Sequence, residues 1–134
     1  DTTGPEIWRQ TDGKVDGFIC AVGSGGSLAG IAQYLREQNP AITIGLADPP
    51  GAALYNYYAN GELKSEGSSI TEGIGQGRIT ANLEGLAVDR PFQIPDEESL
   101  QIVFDLIIEE GLVLGCLVAT QFTFCNATFF SEIL

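Results

Sequence analysis

The chain has no histidine and no methionine, and its six lysines and arginines face eighteen aspartates and glutamates, for a formal net charge of -12. Without histidine there is no imidazole base and no imidazole metal ligand, so histidine-dependent triads and His-based metal sites are excluded. So few cations cannot neutralise a phosphate backbone or an anionic bilayer, which excludes nucleic acid as a partner and makes a membrane surface unexpected. Cysteine is scarce too. Cys20, Cys116 and Cys125 are an odd number with no C-x-x-C pair, the usage expected of buried free thiols in a reducing compartment. Asp1-Thr2-Thr3-Gly4-Pro5 has neither the basic nor the apolar start of a secretory leader, so a cytoplasmic location is expected. With no methionine to start it, the chain reads as a piece of something longer. Its 134 residues suffice for one small domain with its own core.

Glycine is what the chain has in quantity, and Gly23-Ser24-Gly25-Gly26-Ser27 is the stretch around which the rest is organised. It follows an apolar run from Val15 to Val22 that reads as a buried strand, and it opens into a helix. In that helix Leu28, Ile31, Ala32 and Leu35 fall at i, i+3, i+4 and i+7, the spacing of one buried face. A strand, a glycine turn and a helix N-terminus make an anion site, because the first N–H groups of a helix have no intrahelical partner and the dipole favours negative charge. The two serines add hydroxyl donors. A Walker loop is excluded, since no lysine lies between Lys14 and Lys64. The dinucleotide fingerprint lacks its third glycine, where Leu28 stands, although Asp48 at the end of the next strand imitates its ribose-binding acid. A plain tight turn that binds nothing is the remaining alternative.

Further along, Ala41 to Asp48 reads as a second strand, so strand, helix and strand form a βαβ unit with parallel pairing. Pro5 to Gln10 and Ala52 to Tyr58 read as short helices, with Trp8, Tyr55, Tyr57 and Tyr58 as packing residues. Gly61 to Ser69 is a polar surface loop. It leads into Glu72-Gly73-Ile74-Gly75-Gln76-Gly77, whose alternating glycines mark either a close backbone approach or a sharp bend. A strand is expected within Leu86 to Ile94, with Pro91 at its edge. Asp96 then caps a helix whose inner face is Leu100, Val103, Phe104 and Ile107 and which Gly111 ends, and Leu112-Val113-Leu114 is a further short strand. The acids at the start of that helix are explained by its dipole and receive no catalytic role.

Four blocks in register carry a resemblance: Thr2-Thr3-Gly4-Pro5-Glu6-Ile7-Trp8, Ala21-Val22-Gly23-Ser24-Gly25-Gly26-Ser27-Leu28-Ala29-Gly30, Glu72-Gly73-Ile74-Gly75-Gln76-Gly77 and Glu109-Glu110-Gly111-Leu112. From Thr2 to about Gly115 the chain resembles the cysteine synthases (O-acetylserine thiol-lyases), fold-type II pyridoxal-phosphate enzymes related to cystathionine β-synthase. The resemblance implies an α/β fold, a parallel sheet with flanking helices in three layers, as part of the family's large domain. It implies pyridoxal 5'-phosphate as cofactor, its phosphate held by Gly23, Ser24, Gly25, Gly26 and Ser27 and its ring lined by Gly73, Ile74 and Gly75. It implies β-replacement on a small-molecule substrate, in which acetate leaves O-acetylserine and sulfide takes its place. The favoured phosphate ligand is therefore this cofactor, ahead of a dinucleotide. A non-catalytic module holding a phosphorylated ligand or a protein is the alternative from another class.

The departures from the family are as informative. Neither Lys14 nor Lys64 matches the family's Schiff-base lysine, so no catalytic residue is carried over, and the isolated chain is expected to be inactive. Family homodimers, and their binding of the serine acetyltransferase tail at the active-site mouth, need parts that this chain does not match, so neither is expected of it. Strands contributed from elsewhere in the family's sheet would leave an open apolar edge here, prone to aggregation or oligomerisation. After Gly115 the family's glycine-serine-serine-glycine is replaced by Cys116-Leu117-Val118-Ala119. The chain is accordingly divided into a partial cofactor-binding domain, 1–115, and a divergent apolar tail, 116–134, for which a frame shift, a retained intron or a mispredicted gene end is the expected origin. Gly111 to Ser131 carries no charge and is just long enough to span a bilayer, but Gln121, Asn126 and the threonines count against that. Asn126-Ala127-Thr128 matches a glycosylation sequon that arises readily by chance.

Overall fold

The computed structural model describes residues 2–127. Two apolar runs become neighbouring strands, β1 (Gly17–Ala21) and β2 (Thr43–Asp48), and a third strand, β3 (Arg90–Gln93), completes a sheet of order β1-β2-β3. All pairing is parallel: Gly17 lies opposite Thr43 and Ala21 opposite Ala47, while Gly45 lies opposite Arg90 and Asp48 opposite Gln93. Pro91 has no N–H to give to a ladder, and it sits, as expected, on an edge strand.

Period-two alternation along the strands divides the core in two. Cys20, Ile44 and Leu46 join Leu28, Ile31, Ala32 and Leu35 of helix α2 (Gly26–Gln38) in the main cluster, against which Trp8 of α1 (Thr3–Gln10) and Tyr58 of α3 (Leu54–Asn60) also pack. The intervening residues Ile19, Ala47 and Phe92, with Ile94, form a smaller one. The helical face read from the sequence of α2 is thus its buried face. Two further helices, α4 (Asp96–Glu110) and α5 (Cys116–Ala127), pack on each other, and α5 also packs on β1 and β2. Ser99 and Thr120 meet where they cross, their hydroxyls 3.1 Å apart and buried. The result is an α/β arrangement of a parallel sheet flanked by helices.

Three expectations need correction. The helix α4 does not bury Phe104 and Ile107, which are 56% and 39% exposed. Apolar side chains run round most of its circumference, and α5 covers only a narrow strip centred on Ser99. Asp96 does not cap that helix: Pro95 occupies the N-cap position and no side chain bonds there. Leu112-Val113-Leu114 is coil, beyond the left-handed C-cap at Gly111, and pairs with no strand among the described residues. No helix among the described residues is long and apolar enough to cross a membrane. The sequon and the last part of the tail extend past residue 127, outside the described residues.

Candidate anion-binding site

The chain leaves β1 through Val22 and turns over Gly23, Ser24 and Gly25 into α2 at the carboxyl end of the sheet, where ligands of parallel α/β folds bind. Gly25 is the N-cap residue, with φ +84°, and no side chain caps the helix. The first-turn N–H groups, those of Gly26, Ser27 and Leu28, therefore have no capping acceptor from the protein, and the positive end of the dipole faces outward. Ser24, Gly26 and Ser27 are exposed there. Close approach explains two of the glycines. A Cβ on Gly25 would stand 2.6 Å from Leu83 Cγ, and one on Gly23 would stand 2.9 Å from the Gly73 carbonyl oxygen.

That second contact joins the two glycine turns read separately from the sequence. Gly73 and Gly75 both have left-handed φ, +83° and +85°, and the Gly75 N–H donates to the Val22 carbonyl at 2.9 Å. Ile74 between them is buried. Of the two alternatives left open for this turn, the close backbone approach is the one observed. Of the eight expected residues, the Gly23 and Gly73 ends of the two turns are in direct contact, while Gly26 and Ser27 border one depression and Ile74 and Gly75 another.

Sequence reasoning missed the groups that hold this constellation. The Ser24 carbonyl accepts from Thr80 Oγ1 at 2.8 Å, just before the 3-10 turn Ala81–Leu83, and from Asn82 Nδ2 at 3.0 Å within it; Leu83 of that turn plugs under Gly25. No local motif marks these residues, since their partner lies 56 and 58 residues earlier. Asp48, which imitates the ribose-binding acid of a dinucleotide motif in sequence, is wholly buried in the structure. Its Oδ2 accepts from the Tyr55 N–H at 2.9 Å and its Oδ1 has no partner. Burial pushes its pKa up to about 6, against the opposing pull of the Tyr55 and Leu54 N–H groups. It therefore works within the fold at the start of α3.

A depression of about 240 Å³ lies beside the first turn of α2, between Gly26, Ser27 and Gly30 and the α1 residues Thr3 and Gly4. A second, of about 330 Å³, is bounded by Pro49 to Ala52, by Ser68, Ser69 and Thr71, and by Ile74 and Gly75. The two lysines considered earlier stand apart from these groups: Lys64 pairs with Glu66, and Lys14 is exposed in the turn after α1. Among the described residues no cluster of acids and cysteines is placed to hold a metal ion. The donor set is one of uncapped backbone N–H groups and two exposed serine hydroxyls, at a turn whose glycines let Leu83 and the Gly73 carbonyl pack close. Uncapped N–H groups and hydroxyls suit a small anion such as a phosphate better than a metal ion.

Comparison with known proteins agrees with that geometry. The family described as pyridoxal-phosphate dependent enzyme matches residues 1–125. Cysteine synthase 1 of Neurospora crassa is 51% identical over 120 residues, covering 86% of this chain and 32% of that protein. Cysteine synthase 1 of Emericella nidulans is 48% identical over 120 residues with the same coverage, 86% and 32%. A crystal structure of an O-acetylserine dependent cystathionine beta-synthase from Helicobacter pylori superposes with a TM-score of 0.80 at 30% identity, over 98% of this chain and 40% of that one. The chain spans about a third of the length of the curated relatives it matches.

Proposed function

Because the chain belongs to the pyridoxal-phosphate dependent enzyme family, we propose that it carries the cofactor-phosphate cradle of a cysteine synthase-like enzyme, one that replaces the acetate of O-acetylserine by sulfide. The observation that carries this reading is the junction of the two glycine turns, Gly23 to Ser27 and Gly73 to Gly75, at an uncapped helix N-terminus. In it the N–H groups of Gly26 and Ser27 and the hydroxyls of Ser24 and Ser27 hold the phosphate, and the Gly73–Gly75 backbone lines the ring. Bound there, pyridoxal phosphate supplies an electron sink for amino-acid carbanion chemistry, while the protein supplies orientation and charge. The chain's own part would be to fix the phosphate and hold the ring edge.

The isolated chain is expected to lack synthase activity, since neither Lys14 nor Lys64 matches the family's Schiff-base lysine. Recovered β-replacement by these 134 residues alone would defeat that claim. Residues 1–115 are proposed as the cofactor-binding part, with 116–134 as sequence of separate origin, and a cytoplasmic location is proposed. Sequencing of the transcript across Gly115 decides the origin of the tail. A thermal melt with and without pyridoxal phosphate tests the cradle. A ligand that binds only the folded state adds about 2.7 kcal/mol at a hundredfold excess over its Kd, so a cooperative midpoint should rise with cofactor. A midpoint unmoved by millimolar cofactor overturns the reading, and a larger shift with a dinucleotide revives that alternative.

A further inference from the structure

Asp96 opens α4 without capping it. Its carboxylate is turned onto a distant loop instead. It accepts from the Ser69 hydroxyl at 2.5 Å and from the Ile70 N–H at 2.8 Å, with Thr71 Oγ1 at 3.4 Å. Ser69 Oγ in turn accepts from the Thr71 N–H at 2.9 Å. One carboxylate thus gathers three successive residues of a segment that is exposed throughout 61–68 and leads directly into the Gly73–Gly75 turn. Other bonds hold the segment by its backbone. The Gly51 N–H donates to the Glu66 carbonyl at 2.8 Å, the Gly75 N–H to Val22 at 2.9 Å, and the Ala53 N–H to Gln76 at 2.8 Å. Gly73 itself is open on the side a Cβ would occupy, with nothing within 4 Å of that position. The position of its carbonyl against Gly23 is therefore set by the anchors on either side, Asp96 before it and Val22 after it.

Resting on the function proposed above, we propose that Asp96 is a positioning residue for the cofactor. By clamping Ser69, Ile70 and Thr71 it holds the Gly73–Gly75 turn at the spacing from the Gly23 loop that the ring requires. The clamp also forms one wall of the 330 Å³ cavity beside that turn, to which Ser69, Thr71, Ile74 and Gly75 all contribute. Glu97 is the natural control. It is exposed and shares the first turn of α4, so Glu97→Gln removes the same charge from the same helix end without touching the loop.

The experiment compares Asp96→Asn, the double variant Ser69→Ala/Thr71→Ala and Glu97→Gln in the full chain, by amide hydrogen exchange without cofactor and by titration with pyridoxal phosphate. In the first two, exchange across 69–75 should quicken about tenfold while β2 keeps its protection, because the opening is local. Cofactor affinity should fall about tenfold or more, since small displacements of positioning groups have large effects. The Glu97→Gln chain should match the parent in both. Unchanged exchange at 69–75, exchange that quickens equally in β2, or affinity within twofold of a parent that binds would each overturn the inference. A parent that binds no cofactor counts against the proposed function and removes the cofactor half of this inference, and the exchange measurement still decides whether Asp96 holds the turn.

Discussion

Asp48 ends β2 with a carboxylate that the fold buries completely and satisfies on one oxygen only. With its pKa raised to about 6 from an ordinary value near 3.8, the folded chain holds a proton there that the unfolded chain has already released. The stability contribution is therefore intact below the unfolded value, falls as pH rises through the interval up to about 6, and stays lost above it. At roughly 1.4 kcal/mol per unit, the interval amounts to no more than about 3 kcal/mol. Urea melts of the parent and Asp48→Asn from pH 4 to 7 should show the difference between them shifting by about 1–3 kcal/mol in favour of Asn. A pH-independent difference would show that burial does not govern this group. Gly25, the N-cap of α2, and Gly30 within it give a sharper contrast. Gly25→Ala forces a Cβ into Leu83 at left-handed φ, and should cost about 2–3 kcal/mol and abolish any cofactor-induced rise in the melt. Gly30→Ala finds open space on an exposed helical turn and should stabilise by about 0.5–1 kcal/mol.

At the scale of elements, Asp89 ties three of them. Its Oδ2 accepts from the Ile44 N–H at 2.7 Å and from Arg36 Nη2 of α2 at 2.8 Å, while its own N–H donates to the Ile44 carbonyl at 2.8 Å. Asp89→Ala leaves the Ile44 N–H of the central strand without its acceptor and should destabilise by about 2 kcal/mol, whereas Arg36→Ala removes a partly exposed ion pair and an exposed hydrogen bond to the Ala87 carbonyl and should cost about 1 kcal/mol. Chemical denaturation of the two variants separates these values, and equal losses would contradict the assignment. Elements with clean periodicity and local punctuation were legible in the sequence: β1, β2, α2 and the glycine-capped end of α4. So was the glycine turn between β1 and α2, because strand, glycines and helix are adjacent in the chain. The inner face of α4 was not legible. Leu100, Ile102, Val103, Phe104, Leu106, Ile107 and Ile108 offer no single apolar stripe, and the helix α5 that chooses among them has no charge pattern to announce it. Asp96 was misread for a related reason. An acid at a helix start looks like a cap, and only the tertiary fold brings Ser69 within reach.

For the whole molecule, the feature that stands out is the apolar surface left by this packing. Phe104, Ile108 and Val113 are 56%, 78% and 82% exposed, with Leu112 and Phe122 also uncovered. Exposed apolar groups in such numbers favour association, and the net charge of -12 opposes it through repulsion that salt screens. Sedimentation should therefore show self-association rising with ionic strength. Phe104→Lys/Ile108→Lys should reduce it while changing stability by about 0.5 kcal/mol or less, as surface substitutions do. A monomer at all salt concentrations would show that the surface is innocuous.

The bonds from Thr80 and Asn82 to the Ser24 carbonyl also have a consequence in time. A chain emerging from a ribosome presents β1, the glycine turn and α2 long before residues 80–82 exist, so the turn at first lacks the partners that fix Ser24. Contacts this far apart in sequence form late, because the intervening chain must be ordered before the closure is rewarded. The fixed form of the Gly23 to Ser27 turn belongs to the last stage of folding, although the turn lies in the first quarter of the chain. In refolding, strand and helix signals should lead, and responsiveness to phosphate ligands should follow.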